Sequence, residues 1–232
     1  MELLQPVKLA RLREAVAWLV AVVSLVTVAV MLGRDRLGIA GSSRALLVAA
    51  STGFVLTRIV RGLQTRAEWL LLAGLIGCWL GDWLGPVDFL GSVVAFGAAH
   101  LLFIGAFASL GISARRALTA AVPVLLAGLA IGWWLLPHVS AEERGLIVGY
   151  MLVISAMVAC AWGMEPGPGR GMLIAAATLF FISDIFVARW RFVAPGPENA
   201  FVCYPLYYAS CLLFALSSGG SKPDASAMNR SR

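Results

Sequence analysis

The chain has 232 residues, of which 60% are hydrophobic and only 13% are charged. Soluble domains carry about a quarter charged residues, so this composition excludes an ordinary soluble protein. The net charge of +6 does not indicate nucleic-acid binding, because the lysines and arginines lie between long apolar runs, where such residues orient helices in a membrane. We therefore predict an all-α protein, a bundle of about eight transmembrane helices.

Eight apolar runs are long enough to cross a membrane as helices. In chain order they cover residues 15–32, 44–60, 68–84, 89–109, 117–136, 145–163, 171–189 and 200–217. The second run is short and carries Arg58 near its end, where we expect the guanidinium to extend to the cytoplasmic surface. Residues 1–217 are predicted to form a single transmembrane domain, and 218–232 a polar, disordered cytoplasmic tail.

Lysine and arginine are distributed unequally between the two sides of this bundle. With eight spans, 12 of them fall on the side of the N-terminus and 6 on the other side. The positive-inside rule then predicts that both termini are cytoplasmic. Omission of the second span would leave the outward side of the last six spans unchanged. We predict an integral protein of the bacterial inner membrane.

Polar groups recur at similar depths in five of the predicted spans. An ionised side chain is costly inside a membrane, so a residue of this kind is a candidate functional residue. At a rise of ~1.5 Å per residue, they lie near the middle or in the outer half of the membrane. They are Asp82, His100, Tyr150, Asp184 and the tyrosines at 204, 207 and 208. We therefore predict that they share one polar cavity that opens outward.

Most of these groups also have a purely structural interpretation. Asp82 is close to an interface and could belong to a solvated turn, and the tyrosines could form an interfacial aromatic belt. His100 could hydrogen-bond a carbonyl of a neighbouring helix. Asp184 is the hardest to explain in this way, because a mid-span position is costly for any carboxylate.

Several kinds of chemistry lack their sequence signatures. There is no GxSxG elbow, and the only lysines, Lys8 and Lys222, lie outside the spans, which excludes a retinal Schiff base. The ligand spacing of a zinc site is missing, so we predict no metal or other cofactor. A transporter or lipid-binding protein remains an alternative. An aspartyl intramembrane protease is a minor one, since its GxGD signature reads WLGD at residues 79–82.

Five short motifs follow one another in the third, fourth, sixth, seventh and eighth predicted spans. They are "GCWLGDWLG", "FGAAHLLFIGAF", "GYMLVISAMVAC", "LFFISDIF" and "YPLYYASCLLF". Their order and spacing resemble the YhhN-type lysoplasmalogenase family over roughly residues 68–217, and more loosely over the whole chain. The resemblance implies a membrane hydrolase that cleaves the vinyl ether bond of lysoplasmalogens to a fatty aldehyde and glycerophosphoethanolamine or glycerophosphocholine.

The resemblance also implies a set of site residues. Two positions depart from the family's pattern: Phe103 stands where a tyrosine is frequent, and Ser210 stands near the place of a common glutamine. Either change could alter the preferred substrate, so a related lipid stays open as an alternative. Carried over position by position, the polar motif residues are Asp82, His100, Tyr150, Ser183, Asp184 and Tyr208.

Hydrolysis of a vinyl ether begins with protonation of a vinyl carbon and gives an oxocarbenium ion, to which water adds. Glycosidases handle a similar cation with two carboxyl groups, and we predict the same for Asp82 and Asp184. Low dielectric favours a neutral carboxyl, so the deeper Asp184 is predicted to be the general acid and Asp82 the charge stabiliser. The reverse order stays open.

The other polar residues are expected to orient these two carboxyls or the substrate. His100, Tyr150, Ser183 and Tyr208 are assigned this role. Arg189 and Arg191 follow the seventh span, where either could bind the phosphate of a lysophospholipid or simply be a solvated flanking charge. Besides this substrate and membrane lipid, the sequence indicates no partner.

Overall fold

The computed structural model describes residues 4–37 and 43–217. Within these two ranges the chain forms eight long helices and no β-strand, which confirms the all-α prediction. All eight helices are long and apolar enough to cross a membrane, including the short second one. The predicted polar tail at 218–232 lies outside the described residues.

The helices are named here in chain order. They are α1 (Leu4–Leu37), α2 (Ser43–Arg61), α3 (Arg66–Leu84), α4 (Phe89–Leu110), α5 (Ala114–Leu135), α6 (Ala141–Gly163), α7 (Arg170–Ala188) and α8 (Glu198–Leu216). Two short segments continue helices at their C-terminal ends. A 3-10 turn at Leu136–His138 follows α5, and a π-helical turn at Arg189–Val193 follows α7.

Side-chain caps define where several helices begin. Thr65 and Glu68 form a capping box at the start of α3, and Asp88 accepts a hydrogen bond of 2.9 Å from the Gly91 backbone N–H at the start of α4. Such caps supply acceptors to the first N–H groups of a helix, which have no partner within it. The carboxylate of Asp88 is therefore used by the α3–α4 turn.

Close packing of α3 against α4 depends on glycine. Gly77 and Gly81 have the spacing of the GxxxG motif, which lets two membrane helices approach closely. A Cβ atom at Gly77 would lie 3.0 Å from Cβ of Ala99, and one at Gly81 would lie 2.6 Å from the ring of Phe96. The absence of side chains here thus brings the end of α3 directly against α4.

Arg58 does not extend to a surface, so that expectation was wrong. The residue is only 2% exposed. Its guanidinium forms an ion pair with Glu68 Oε1 at 3.2 Å and donates hydrogen bonds to the carbonyl of Ser217 and to that of Gly62. These internal partners replace the water that a snorkelling arginine would need to reach.

The same contacts define one end of the bundle. They join the end of α2, the start of α3 and the residue after α8, while Arg13 of α1 donates a hydrogen bond of 3.1 Å to the Val60 carbonyl. Both terminal helices thus reach this end, which we call the terminal end. Because successive helices alternate in direction, the α3–α4, α5–α6 and α7–α8 connections lie at the opposite end.

Candidate functional site

A cavity of about 570 Å³ lies between the helices, towards the end opposite the terminal end. All helices from α2 to α8 contribute to its lining, together with Gly85 and Pro86 of the α3–α4 connection and residues that follow α7. Much of the wall is apolar, with rings such as those of Phe96 and Phe180. Asp82 and Asp184 both line this one cavity, although they are 102 positions apart in the sequence.

Side chains from three helices meet around Asp184. The hydroxyl of Tyr150, on α6, donates a hydrogen bond to Asp184 Oδ2. On α4, His100 Nε2 lies 2.9 Å from the same hydroxyl and 3.8 Å from Asp184 Oδ2. Ser183 Oγ donates to the Phe180 carbonyl at 2.7 Å and lies 3.3 Å from Asp184 Oδ1. Tyr150 therefore links the histidine to the carboxylate.

His100 is fully buried and does not reach the cavity wall. Its ring packs edge-on against Phe180, with ring centroids 4.6 Å apart. When Tyr150 donates its single hydroxyl proton to Asp184, its oxygen can accept a hydrogen bond only from the His100 tautomer that is protonated at Nε2. Among the described residues, His100 Nδ1 has no hydrogen-bond partner. The histidine thus lies behind Tyr150 and is not part of the cavity wall.

Two adjacent tyrosines of α8 hold Asp82. Tyr207 donates a hydrogen bond of 3.0 Å to Asp82 Oδ2. Tyr208 reaches the same oxygen at 3.3 Å and also the Leu47 carbonyl of α2 at 3.3 Å. Tyr207 lines the cavity with Asp82, whereas Tyr208 lies behind them and is fully buried. Asp82 is therefore part of the protein interior and does not belong to a solvated turn.

The burial of the two aspartates is the opposite of what their depth along the spans predicted, and that depth was the basis for assigning the acid and charge-stabiliser roles. Asp82 is buried and Asp184 is half-buried, whereas their depths along the spans predicted that Asp184 would be further from water. Depth in the membrane and burial in the protein differ here, because the α8 tyrosines cover Asp82 while Asp184 faces the cavity. The assignment of Asp184 as the more buried carboxyl was wrong.

The two candidate arginines occupy different surroundings. Arg191 lines the cavity, with its guanidinium carbon 4.9 Å from the centroid of the Phe89 ring and Nη2 3.6 Å from Glu143 Oε1. Arg189 is not part of the wall. It donates a hydrogen bond to Asn199 Oδ1 and lies 3.4 Å from Glu198 Oε1. Of the two, Arg191 is the one that faces the cavity.

The structure brings together most of the polar residues that the sequence singled out, in two groups. Asp184 has Tyr150, Ser183 and His100 around it, and Asp82 has Tyr208. Sequence reasoning placed Tyr207 among the polar groups of the cavity but assigned it no role, although it makes the shorter bond to Asp82. Its place beside Tyr208 in the "YPLYYASCLLF" motif was the available signal. Within the described residues no three His, Cys, Asp or Glu side chains cluster as metal ligands would.

Comparisons with known proteins identify similar chains. The profile of the YhhN family matches residues 42–218, which include every residue of the two groups. Lysoplasmalogenase TMEM86B of Sus scrofa is 31% identical over 157 residues, 67% of this chain and 64% of the relative. Lysoplasmalogenase TMEM86A of Bos taurus is 28% identical over 191 residues, 76% of this chain and 73% of the relative.

The human lysoplasmalogenase TMEM86B is 29% identical over 178 residues, covering 75% of this chain and 73% of the relative. The chain matches just under two thirds of the length of the Sus scrofa protein. No solved structure matches it significantly.

Proposed function

This chain belongs to the YhhN family, and from that premise we propose that it is a membrane hydrolase that cleaves the vinyl ether bond of lysoplasmalogens. The names of its relatives support this activity. The observation that carries the proposal is the placement of Asp82 and Asp184 on one cavity with largely apolar walls. A lipid chain fits such walls, and two carboxyl groups in different protonation states can donate the proton and stabilise the cation that forms.

In the proposed reaction Asp82 is the proton donor. Burial disfavours the charged form of a carboxyl, and Asp82 is the more buried of the two aspartates. It also lies in the last turn of α3, where the helix dipole is unfavourable to a negative charge. Asp82 would transfer its proton to the vinyl carbon that is not bonded to oxygen, which leaves an oxocarbenium ion.

Asp184 would stay ionised and stabilise that cation. The Tyr150 hydroxyl donates to Asp184 Oδ2 and fixes the direction of the carboxylate. Its position at the cavity wall also gives it access to water. Tyr150 and His100 are positioning residues in this scheme, because they orient Asp184 without contacting the reacting atoms.

Water completes the reaction. It adds to the oxocarbenium carbon while the Asp82 carboxylate accepts its proton, so that the acid is regenerated. The resulting hemiacetal then breaks its bond to the glycerol oxygen, its hydroxyl gives up a proton as the carbonyl forms, and the glycerol oxygen takes up a proton in exchange, so that a fatty aldehyde and a glycerophospho-alcohol leave. One water is consumed for each vinyl ether cleaved, and no redox change occurs.

We propose that Arg191 binds the phosphate of the substrate. It faces the cavity, and a guanidinium suits phosphate recognition. Its nearest acid, Glu143, is 3.6 Å away, which is longer than a well-formed hydrogen bond.

The cytoplasmic position of both termini, and the bacterial inner membrane as the location, remain predictions from the sequence.

An assay of the purified protein tests the activity directly. In detergent, the protein should release fatty aldehyde from a lysoplasmalogen and leave two matched lipids intact. One carries the same chain through a saturated ether, and the other carries it through an ester. Cleavage of the ester would indicate a different hydrolase. Failure to cleave all three lipids would favour the alternative of a lipid-binding or transport protein.

A further inference from the structure

We propose that a groove between α5 and α6 binds the hydrocarbon chain of the lysolipid and connects the cavity with the surrounding membrane. This inference rests on the proposed function, since it assigns a path to the substrate of the same site. It concerns the lipid-facing side of the bundle, where none of the polar residues described above lies.

The groove has a volume of about 370 Å³ and is almost entirely apolar. Its floor is formed by small or flexible residues, among them Gly132, which is buried. Its rims are large apolar side chains that are exposed: Leu129 is 70% exposed, Trp133 is 85% exposed and Leu152 is 59% exposed. In a membrane-spanning helix such a surface faces lipid chains, so the groove is open to the membrane.

Three residues line both the groove and the cavity, which makes the two spaces neighbours. They are Gly128, Met151 and Ser155. At this junction a Cβ atom on Gly128 would lie 3.4 Å from Ser155 Oγ, so a side chain at this position would fill the space between the cavity and the groove. The flexible Met151 side chain is the other element of the junction.

A single hydrocarbon chain is the occupant that fits these surfaces. If the glycerophosphate is held at Arg191 and the vinyl ether lies between the aspartates, the chain must continue away from the polar groups. The groove offers apolar walls on that path, at a depth where lipid chains lie. The exposure of α5 agrees with this path, because α5 is the least buried of the eight spans and has few protein neighbours that would block access from the membrane.

Photo-cross-linking tests the occupant without any turnover. The probe is a lysophosphatidylethanolamine with a saturated ether-linked chain that carries a diazirine, so that the protein cannot cleave it. We expect adducts on groove residues such as Leu129 and Leu152. Unlabelled lysolipid should compete with them, and an equal amount of diacyl phospholipid should not. Adducts elsewhere, or equal competition by diacyl lipid, would show a general lipid surface and overturn the proposal.

A substitution in the groove tests the consequence for turnover. Gly132 lines the groove but not the cavity, and a Cβ atom there would meet only side-chain tips, at 3.4 Å or more. Gly132→Leu should lower the ratio of kcat/KM for a long-chain over a short-chain lysoplasmalogen by about tenfold or more, because a misplaced reacting bond is strongly penalised. An unchanged ratio would contradict the chain path.

Gly149→Leu is the matched control. Gly149 lies in α6, the other helix of the groove, but lines neither space, and a Cβ atom there would meet nothing within 4 Å. This variant should keep the wild-type ratio. If the wild-type protein releases no aldehyde but cross-links in the groove, the hydrolase proposal fails and the groove stands. If the wild-type protein releases aldehyde, but the cross-links lie outside the groove and Gly132→Leu leaves the kcat/KM ratio unchanged, only the proposed chain path fails.

Discussion

The imidazole of His100 lies 2.9 Å from the hydroxyl of Tyr150 and faces it through Nε2. Tyr150 in turn donates to Asp184, so one chain of hydrogen bonds runs from the buried histidine to the cavity. A phenol that accepts from one neighbour and donates to another is held in a single orientation. Its role would be to fix the direction of the Asp184 carboxylate.

Removal of this phenol should impair catalysis more than folding. Tyr150→Phe keeps the ring but breaks the link, and we expect turnover of lysoplasmalogen to fall by roughly 10²-fold, as for the loss of a strong preorganised donor. The measurement is kcat in detergent, together with thermal stability. Near-normal kcat would show that Asp184 does not need this donor.

The histidine offers a test by conservative replacement at the other end of the chain. His100→Gln retains an N–H donor, whereas His100→Leu does not. If His100 acts through Tyr150, the Gln variant should keep clearly more activity than the Leu variant at equal stability. Equal losses in both would indicate a packing role only.

The two phenols on Asp82 predict a graded effect. Tyr207→Phe and Tyr208→Phe each remove one hydrogen bond to the same oxygen of Asp82. Each bond strengthens as that carboxyl gives up its proton, since a bond to a charged group contributes about 1.5–3 kcal/mol. We expect each variant to lower kcat by roughly tenfold or more. Because Tyr208 lies outside the cavity, its variant should leave KM unchanged. A rise in KM alone would place Tyr208 in substrate binding.

Much of the architecture follows from local sequence properties. Apolar length predicted all eight helices, including α2. The matched depth of polar residues correctly predicted that Asp82, Tyr150 and Asp184 would line one cavity, whereas His100 and Tyr208, predicted with them, are not part of its wall. These predictions work because the membrane requires continuous apolar helices and makes a polar group in mid-span costly.

Contacts between distant residues were not accessible in the same way. The expectation that Arg58 reaches a surface failed because Glu68 and the carbonyl of Ser217 approach it only in the folded bundle. Likewise, α8 covers Asp82 from more than a hundred residues away, so depth along α3 could not reveal its burial. Tyr207 was grouped with the cavity by its depth but was given no role, because neighbouring helix positions point about 100° apart and depth alone does not show which tyrosine contacts Asp82.

The buried ion pair at the terminal end should contribute strongly to stability. Glu68→Gln preserves an oxygen for the capping box but leaves the Arg58 charge without its carboxylate partner. Breaking a buried pair typically costs about 3–5 kcal/mol, so unfolding in detergent should occur at clearly lower temperature or denaturant concentration. Glu165→Gln is the control, because its pair with Arg116 is exposed and such pairs contribute about 1 kcal/mol or less. An equal loss of stability in Glu68→Gln and Glu165→Gln would show that the Arg58–Glu68 pair does not contribute more than an exposed pair.

The two arginines after α7 should differ in substrate binding. Arg191→Gln should raise KM for a phosphate-bearing lysoplasmalogen by about tenfold, as expected when a charged hydrogen bond is lost. It should have little effect on an alkenylglycerol that lacks the phosphate. Arg189→Gln, at a side chain that contacts Asn199 and Glu198 instead, should change KM less on both lipids. A larger effect of Arg189 would place the phosphate outside the cavity.

The two aspartates provide the most direct test of the chemistry. Replacement of either by asparagine removes its protonation while nearly preserving its size. Loss of a general acid costs ~10²–10⁴ in rate, so Asp82→Asn and Asp184→Asn should each reduce aldehyde release by at least that order. The double variant should be little worse than either single one, because residues that act as a unit are not additive. Insertion should survive, since a neutral amide is less costly in the membrane than a charge. Variants that purify normally and retain nearly full turnover would show that these carboxyls are not the catalytic pair, and would turn attention to ion passage or helix packing as the reason for two carboxyls on one cavity.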